Sequence, residues 1–595
     1  MPEQARPNLV VVMSDQHNPR VLGCAGDPVI RTPHLDRLAA QGVRFAQTYA
    51  GSPLCVPSRA TFLTGQSCSA VQVWSNSCTL ASDIPTFMHA LAIAGYDTVL
   101  SGRMHFKGPD QRHGFTERVM GDVSGPTDGH PHRTLGDIPY SSQGQSRSSL
   151  EIVGPGRTGF QAYDRDVTAA AVRFVRDRAA QRSDRPFCLV VGLVLPHAPY
   201  IAPRPLYDEY VDRVILPSVP AGARAAQHPA VRMWRQDKGF DEATPDQQRA
   251  ALAGYYGMVT MVDEAVGQIV AALDETGLRE RTAVFYTSDH GDMLGELGLW
   301  HKSTLYEGSV GVPLIASWPE RFASGTTVDG PVSLIDLAPT FAALGGGPAL
   351  PHTTGRVLTP LLEGHGPPAG WPPEVYAESM HVSGFPPSRM IRRGPWKLVR
   401  YHGYAAPVLF NLDDDPQELH DRAADPSCAA VRDELDALVR AGWSGAAVER
   451  SVARHQADRN LLDSWAAELH PAAPDGILKG YSAVLRLSLC WDDNWPRLYD
   501  PATGTYLESW PEVWEAREAA EVQAAVEQAE RLAERAAREA AEHRAATEQA
   551  GRQRERTARE AAENRAASEQ AARLAAEACI RQLEAELRRR QADRD

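Results

Sequence analysis

Long apolar runs are missing from this sequence. Apolar segments such as "NLVVVM" at residues 8–13 end well short of the roughly 20 apolar residues that a membrane-spanning helix needs. The first residues, "MPEQARPNLVVVMSDQ", also lack the long apolar core and the small-residue cleavage site of a signal peptide. We therefore expect a cytoplasmic protein with no membrane partner.

Paired cysteines and a positive net charge are missing as well. The eight cysteines are scattered and form no Cys-x-x-Cys pair, which argues against a disulfide framework and against a zinc ribbon. The formal net charge is −14, whereas proteins that bind nucleic acids or anionic membranes use broad basic faces. No nucleic-acid partner is expected, and an anionic substrate would require a local cluster of cations.

Short β-branched runs alternate with helical patterns along the first half of the chain. Such runs occupy 8–16, 96–106, 186–200 and 282–292, and a helical pattern lies between consecutive runs. Near-continuous apolar strands between helices predict an α/β fold with a mostly parallel sheet that is covered on both faces. In such folds, functional residues gather beyond the carboxyl ends of the strands.

The later part of the chain has a different residue pattern. "SRMIRRGPWKLVRYHG" and "PVLFNLDDDPQELHDRAA" are typical of hairpin strands followed by a helix. A chain of 595 residues also favours two or three domains. We predict a main domain over 1–370, a smaller C-terminal α+β subdomain with an antiparallel sheet over 371–450, and a connecting region over 451–512 that contains one hairpin candidate, "RLYDPATGTYLES".

The tail, residues 513–595, is rich in Ala, Glu, Arg and Gln. It contains three similar copies, at 516–529, 537–550 and 558–571, whose starts are 21 residues apart. This spacing is three heptads, so each copy returns to the same face of a helix with a 3.5-residue repeat. The pattern predicts a long C-terminal helix, which is either a solvated single helix or a weak coiled coil with a candidate role in homo-oligomer formation.

Two polar pairs follow predicted strands. Asp15 and Gln16 end the first strand, and Asp289 and His290 end a later one. Their oxygens and one ring nitrogen could meet over a single point, and oxygen-rich sites suit hard divalent ions such as Ca²⁺ or Mg²⁺. Each pair alone is weak evidence, because Asp at the end of a strand is often a turn or cap residue.

Three further residues could take part in catalysis. His105 in "GRMHF" and His197 in "LPHAPY" also end predicted strands, although a lone histidine is more often structural than catalytic. Lys302 in "GLWHKSTLYE" closely follows the second polar pair, and by itself it would be taken for a surface lysine.

The segment "LCVPSRATFLTGQ" at 54–66 is the most specific motif. It places Cys55 at the start of Cys-x-Pro-Ser-Arg, with Thr64 and Gly65 a fixed distance further on. Together with "TPHLDRLAAQGVRF", "PHAPY", "SDHGDMLGELGLWHK" and "MIRRGPWKLVRY", it resembles the formylglycine-dependent sulfatases of the alkaline-phosphatase-like superfamily, over about residues 8–425. The resemblance implies an alkaline-phosphatase-like α/β/α sandwich whose sulfatase catalytic domain is the predicted main domain.

The resemblance also implies that a formylglycine-generating enzyme oxidises Cys55 to formylglycine. The hydrated aldehyde carries two hydroxyls on one carbon. One hydroxyl attacks the sulfur of a sulfate ester and expels the alcohol, and the other then loses its proton so that the hemiacetal collapses to aldehyde and free sulfate. A thiol or a serine lacks the second hydroxyl and would remain covalently sulfated.

Other residues receive roles from the same resemblance. Arg59 would hold the formylglycine, and His105 would take the proton of its second hydroxyl. Lys302 and His197 would bind the sulfate, with His197 able to protonate the leaving oxygen. We expect one divalent ion, Ca²⁺ with Mg²⁺ or Mn²⁺ as alternatives, on five ligands: Asp15, Gln16, the modified Cys55, Asp289 and His290.

Three positions depart from the pattern of many relatives. Arg103 stands where many have the lysine of Lys-x-His, and an arginine keeps the charge and the donors but cannot act as an acid. Gln16 and His290 replace an Asp and an Asn that are common in arylsulfatases. This Asp-Gln and Asp-His pairing instead resembles choline sulfatases and phosphonate monoester hydrolases.

Three functions stay open at this point. The first is a sulfuric-ester hydrolase that acts on a small alkyl or aryl sulfate monoester. The second is a phosphonate or phosphate mono- or diester hydrolase that uses the same site, and the motifs do not separate it from the first. The third is an inactive scaffold that assembles through the tail, although every expected catalytic position is filled. A choline-like alcohol would need an aromatic or acidic box, for which the candidates are Trp74, Trp300, Tyr306 and Trp396.

Overall fold

The computed structural model describes a defined part of the chain: 6–108, 110–122, 144–156, 158–220, 222–381, 384–469, 499–500, 505–506, 563–586 and 588–589. The chain divides into two compact units, Met1–Glu508 and Ser509–Asp595. The finer boundaries at 370, 450 and 512 stay predictions.

The strands of the first unit fall into one large sheet, one smaller sheet and three short pairs. In chain order they are β1 (Asn8–Ser14), β2 (Val43–Phe45), β3 (Thr48–Tyr49), β4 (Asp97–Gly102), β5 (Glu117–Met120), β6 (Gly154–Pro155), β7 (Phe187–Gly192), β8 (Ile201–Ala202), β9 (Thr282–Ser288), β10 (Leu314–Ser317), β11 (Thr326–Val328), β12 (Val332–Ser333), β13 (Glu374–His381), β14 (Phe385–Arg393), β15 (Trp396–Tyr401), β16 (Val408–Asn411), β17 (Tyr499–Asp500) and β18 (Thr505–Tyr506).

The helices of the first unit are interspersed among these strands. They are α1 (Pro33–Ala40), α2 (Cys55–Thr64), α3 (Cys68–Val71), α4 (Phe87–Ile93), α5 (Ser148–Glu151), α6 (Gly159–Gln181), α7 (Arg204–Tyr210), α8 (Ala223–Ala226), α9 (Pro229–Asp237), α10 (Pro245–Glu275), α11 (Glu307–Val310), α12 (Leu337–Leu344), α13 (Thr359–Leu362), α14 (Ala429–Arg440) and α15 (Gly445–Leu469).

The large sheet has eight strands in the order β11-β2-β10-β9-β1-β7-β4-β5. Neighbours pair in parallel except at β10, which runs antiparallel to both β9 and β2. The prediction of a mostly parallel sheet is therefore confirmed, with one reversed strand.

Helices cover both faces of this sheet because alternate side chains of a strand point to opposite sides. On β1, Val10 and Val12 join the core cluster that contains residues of α1, α6 and α10. Leu9, Val11 and Met13 join the other cluster, with residues of α4 and α12. The predicted three-layer α/β/α arrangement is confirmed.

The smaller sheet, β13-β14-β15-β16, is antiparallel throughout, as predicted. Leu435 and Val439 of α14 pack on one of its faces. Lys397 of β15 is fully buried and lies 2.8 Å from carboxylate oxygens of both Glu307 and Glu418. This cluster connects the small sheet to α11, which begins at Glu307, and to Glu418 in the segment after β16.

The remaining predictions concern the end of the chain. The hairpin candidate contains the antiparallel pair β17–β18. In the second unit, 563–586 and 588–589 are helical and the described side chains are exposed. The other parts of the predicted tail helix lie outside the described residues. No described helix has the length and apolar character needed to cross a bilayer.

Candidate active site

The site begins where β1 and β9 end side by side. The two strands pair in parallel register through Ser14 and Ser288. Asp15 is the residue after β1 and Asp289 is the residue after β9, and neighbouring strands of a sheet lie about 4.8 Å apart. Both carboxylates are fully buried. Two buried negative charges this close require cations around them.

Arg59 supplies one of these cations. The α2 helix begins at Cys55 and is buried along its whole length, and Arg59 lies one turn further along the helix. Its Nε donates to Asp289 Oδ2 at 2.8 Å, and its Nη2 donates to Asp15 Oδ2 at 3.3 Å. Its Nη1 donates to the Arg103 carbonyl at 2.8 Å. Arg59 therefore fixes both carboxylates relative to the helix that carries Cys55.

The Cys55 thiol lies at the centre of the site. Its Sγ is 3.0 Å from Lys302 Nζ, 3.2 Å from His290 Nε2 and 3.7 Å from Asp15 Oδ1. Burial and the Asp15 charge each act to raise the pKa of this thiol, but Lys302 and His290 outweigh them and hold it below its ordinary value. The environment therefore stabilises negative charge at this position.

A cation could bind next to this thiol. Ligand atoms of Asp15, Cys55, Asp289 and His290 all lie within 4.8 Å of one another. The Gln16 backbone amide donates to Asp289 Oδ1 at 3.2 Å, and the buried Gln16 Oε1 has no hydrogen-bond partner in the described part of the chain. Carboxylate and amide oxygens with one imidazole are suitable ligands for a divalent ion, so these residues fit one.

Arg103 and His105 form the next layer. Arg103 Nε donates to Asp15 Oδ2 at 2.9 Å, and Arg103 Nη2 donates to His105 Nδ1 at 2.8 Å. Asp122 accepts hydrogen bonds from the backbone amides of Met104 and His105 at 2.9 and 2.6 Å. A guanidinium can only donate, so Nδ1 is the acceptor and the neutral His105 ring carries its hydrogen on Nε2.

The two catalytic histidine candidates are uncharged in this environment. Burial, Arg103 and Lys107 hold the pKa of His105 well below its usual range. Burial and the Lys302 charge do the same for His197, whose Nδ1 donates to the Ala198 carbonyl at 2.7 Å. His197 therefore keeps Nε2 as its acceptor atom.

The predicted residues differ in how closely the structure brings them together. Most of them share direct contacts: Asp15, Gln16, Cys55, Arg59, Arg103, Asp289, His290 and Lys302. His105 connects to this group through Arg103, and His197 lies within electrostatic reach of Lys302 and Asp15. Lys302 is buried among them rather than on the surface.

Ser58 and Asn76 also contact this site, although the sequence analysis gave neither of them a role. The Ser58 hydroxyl donates to the Asp289 carbonyl. Asn76 Oδ1 accepts the Val56 amide at 3.0 Å, and Asn76 Nδ2 lies 4.0 Å from Cys55 Sγ. Ser58 belongs to the Cys-x-Pro-Ser-Arg motif and could have been found there, whereas the sequence around Asn76 carries no signal.

Backbone strain also marks the site. Gln16, His105, His301 and Ser303 have φ values of 76°, 58°, 61° and 77°. Such values are uncommon for residues other than glycine, and they persist where the surrounding structure imposes them. His301 and Ser303 flank Lys302, so its position depends on a strained loop.

The aromatic residues considered for a choline-like alcohol serve packing. Trp300 and Tyr306 belong to the largest core cluster, and Trp74 packs with Val448 and Val452. Trp396 packs against the core of the small sheet. These positions give the choline-box hypothesis no support.

The fold and the site together define a class of protein: an α/β enzyme whose nucleophile candidate begins a buried helix beside a metal-binding cluster at the carboxyl edge of the sheet. Comparison with known families agrees. The family model described as Sulfatase matches residues 7–347, and the model described as N-sulphoglucosamine sulphohydrolase, C-terminal, matches residues 295–441.

Individual relatives match over most of their length. A choline-sulfatase of Rhizobium meliloti is 34% identical over 476 residues, which cover 76% of this chain and 90% of that protein. An arylsulfatase K of Danio rerio is 29% identical over 83% of this chain and 92% of that protein. The crystal structure of a phosphonate monoester hydrolase of Agrobacterium radiobacter superposes with a TM-score of 0.63 and 26% identity, covering 76% of this chain and 96% of that one. The chain belongs to the sulfatase family and is a hydrolase.

Proposed function

We propose that this chain cleaves a small alkyl or aryl sulfate monoester to an alcohol and inorganic sulfate, with formylglycine made from Cys55 as the nucleophile. The position of Cys55 Sγ carries the proposal: it lies 3.0 Å from Lys302 Nζ and 3.2 Å from His290 Nε2 in a buried site. This sulfur marks where the formylglycine oxygens would lie. The nucleophile would thus lie next to both the Lys302 ammonium and the candidate metal ligands.

The divalent ion of this proposal is Ca²⁺, with Mg²⁺ or Mn²⁺ as alternatives, and its ligands are Asp15, Gln16, the modified Cys55, Asp289 and His290. When bound, such an ion withdraws charge from the sulfate oxygens and lowers the pKa of a hydroxyl beside it. Arg59 would hold both carboxylates in place for this ion, since it donates to each of them.

Lys302 and His197 would hold the sulfate. In the chain with a Cys55 thiol, the charges of Cys55 and Asp15 outweigh the opposing effect of burial and raise the pKa of Lys302. After conversion of Cys55, the Asp15 carboxylate stays 3.8 Å from Lys302 Nζ, and the ammonium would donate to a sulfate oxygen. His197 offers Nε2, because its Nδ1 is bonded to the Ala198 carbonyl. An anionic substrate would raise the pKa of His197 and so favour the protonated ring that gives its proton to the leaving oxygen.

His105 would take the proton of the second hydroxyl, so that the sulfated intermediate collapses. Its only ring nitrogen without a hydrogen is Nδ1, which accepts from Arg103. Proton uptake there therefore requires Arg103 to release this nitrogen. A lysine in place of Arg103, as in many relatives, would donate through one flexible ammonium rather than a planar guanidinium.

A second candidate is hydrolysis of phosphonate or phosphate mono- or diesters by the same groups. It is favoured by the Gln16 and His290 pairing and by the similarity to a phosphonate monoester hydrolase. An inactive scaffold that assembles through the tail is not favoured. Every predicted catalytic position carries the expected side chain, and most of these side chains contact one another in a buried site.

Two measurements test the proposal. Intact mass of the peptide around residue 55, from protein made together with a formylglycine-generating enzyme, should show the aldehyde, and the Cys55→Ala variant should be folded but inactive. An unmodified thiol in active protein would overturn the nucleophile. Rates on an aryl sulfate, an alkyl sulfate and a phosphonate monoester then separate the two candidate reactions.

The metal is tested separately. The Asp289→Ala variant should lose bound metal and activity together, because it removes one of two carboxylates from the cluster. Full activity of chelator-treated, metal-free protein would contradict a metal-dependent reaction.

The cellular setting belongs to the same proposal. All seven cysteines in the described residues are free, which supports a reducing compartment such as the cytoplasm. The partner implied there is the formylglycine-generating enzyme. Homo-oligomer formation through the tail stays a prediction.

A further inference from the structure

The Gln16 carboxamide is held at one end and free at the other. Its Nε2 donates to Asp292 Oδ2 at 2.7 Å, while its Oε1 is buried and has no hydrogen-bond partner among the described residues. A buried carbonyl oxygen without a donor is costly, so this atom indicates that a further group lies against it.

Asp292 decides which end is free. If the nitrogen and oxygen of the amide were exchanged, Gln16 Oε1 would face the Asp292 carboxylate, and two acceptors would lie 2.7 Å apart. The carboxylate therefore selects the orientation in which Nε2 faces Asp292 and Oε1 faces away from it.

Asp292 cannot turn to accommodate the other orientation. Its Oδ1 accepts hydrogen bonds from the backbone amides of Leu294 and His301 at 3.0 and 2.9 Å. The Tyr200 hydroxyl donates to Oδ2 at 2.6 Å. Asp292 and Tyr200 are both fully buried, so water does not replace these bonds.

We propose that Asp292, supported by Tyr200, is a positioning residue that directs the oxygen of Gln16 to the divalent ion. The inference rests on the metal site of the proposed function and adds to it the group that sets one ligand. A neutral amide oxygen then completes the site without a third carboxylate charge. Groups that orient metal ligands in this way commonly change metal affinity by about 10–100-fold when they are replaced.

The Asp292→Asn variant tests the orientation because it changes the direction of one hydrogen bond. The backbone amides of Leu294 and His301 would hold the oxygen of the new asparagine, so its NH₂ group would face Gln16. The Gln16 amide must then turn its oxygen toward position 292 and its nitrogen toward the ion. We expect Ca²⁺ to bind about 10–100-fold more weakly.

The double variant Gln16→Glu with Asp292→Asn is the matched rescue. The new glutamate would accept from the new asparagine with one oxygen and offer the other oxygen to the ion. Ca²⁺ affinity should recover to the level of the unmodified sequence or above it. Gln16→Glu alone should not give this Ca²⁺ affinity, because it places two buried carboxylates, at positions 16 and 292, against each other.

The readout is calorimetric titration of metal-free, full-length protein with Ca²⁺, with thermal unfolding in chelator as the control for folding. Weak binding by Asp292→Asn and recovery in the double variant support the inference. If Asp292→Asn binds Ca²⁺ as tightly as the unmodified sequence, the inference is wrong while the metal site stands. If the unmodified sequence binds no divalent ion, both the inference and the proposed metal site fail.

If Asp292→Asn does not fold, the double variant decides the question. A Ca²⁺ affinity of the double variant below that of the unmodified sequence then overturns the inference.

Discussion

Arg103 Nη2 donates to Nδ1 of His105 at 2.8 Å, and the same guanidinium donates through Nε to Asp15. One side chain therefore fixes both the tautomer of His105, a candidate proton acceptor, and the carboxylate of Asp15, a candidate metal ligand. The base at position 105 and the candidate metal ligands are consequently coupled through the Arg103 guanidinium, which never loses its charge.

The first prediction concerns the pH dependence of activity. Burial and the Arg103 charge hold the pKa of His105 well below 6.5, so the neutral ring persists down to acidic pH. If the neutral ring is the reactive form, activity declines only as the pH falls through this low pKa. Arg103→Gln removes a positive charge, raises the pKa of His105 and should move the acidic limb of kcat to higher pH, because kcat includes the collapse of the sulfated intermediate whereas kcat/KM does not.

Arg103→Lys is the control for this prediction, because it keeps the charge and should move the limb less. The position of the limb is the readout, since either variant also disturbs Asp15 and lowers the rate itself. An acidic limb that stays at the same pH in Arg103→Gln would show that His105 does not set it.

The second prediction concerns stability near the His197 loop. Asp164 of α6 accepts hydrogen bonds from the amides of Val194 and Leu195, both at 2.8 Å. Burial raises the pKa of its carboxyl from 3.8 to about 7. The folded state thus holds the proton more tightly than the unfolded state, and stability from this group is full below about pH 4 and lost as the pH rises to about 7.

The Asp164→Asn variant removes this titration. The difference in unfolding free energy between the variant and the unmodified sequence should change by up to roughly 4 kcal/mol across that interval. Urea unfolding at a series of pH values measures it. Asp177→Asn, on the exposed face of the same helix, is the matched control for the chemical change from Asp to Asn without burial. A flat difference for Asp164→Asn would refute the prediction.

The third prediction concerns the buried lysine of the small sheet. Lys397→Met removes the cation between Glu307 and Glu418 and leaves the buried Glu418 carboxylate beside the partly buried Glu307 carboxylate. Breaking such a pair costs about 3–5 kcal/mol, which urea unfolding should detect. Arg393→Ala is the control, because the Arg393–Glu434 pair is exposed and such pairs contribute about 0–1 kcal/mol. Equal effects of the two variants would contradict this account.

The fourth prediction concerns the tail. Leu574, Ile580 and Leu583 are exposed in the described tail helix, and the predicted seam is mostly alanine. Such a seam buries little apolar area per turn, so association through it should be weak. Deletion of residues 514–595 should leave turnover per active site close to that of the full chain, while light scattering reports any loss of oligomers. A truncated protein that is folded and metal-loaded but inactive would show that the tail supports the site.

Much of the fold followed from local pattern. The runs that became β1, β4, β7 and β9 are β-branched, short and bounded by polar residues, so their type and order were predictable. Because β1 and β9 are parallel neighbours, the predicted approach of Asp15 and Asp289 also followed from the fold class.

The contacts that refine the site depend on distant parts of the chain and left no local trace. Asn76 reaches Cys55 from a loop without regular pattern, and the link between Gln16 and Asp292 spans 276 residues. The left-handed backbone at Gln16 arises from such long-range contacts rather than from residue type. The direction in which Arg103 donates could be read only once the position of His105 was known.

The burial of α2 has a consequence for the order of events during synthesis. Cys55 is 1% exposed in the folded chain, so an enzyme that modifies its thiol must reach it before the site closes. Closure needs His290, which lies 235 residues further along the chain. At about 5–20 residues per second, a ribosome needs roughly 10–50 s to make that stretch. Because Cys55 and His290 are far apart in the sequence, the thiol would stay accessible to a modifying enzyme until the residues that close the site have been translated.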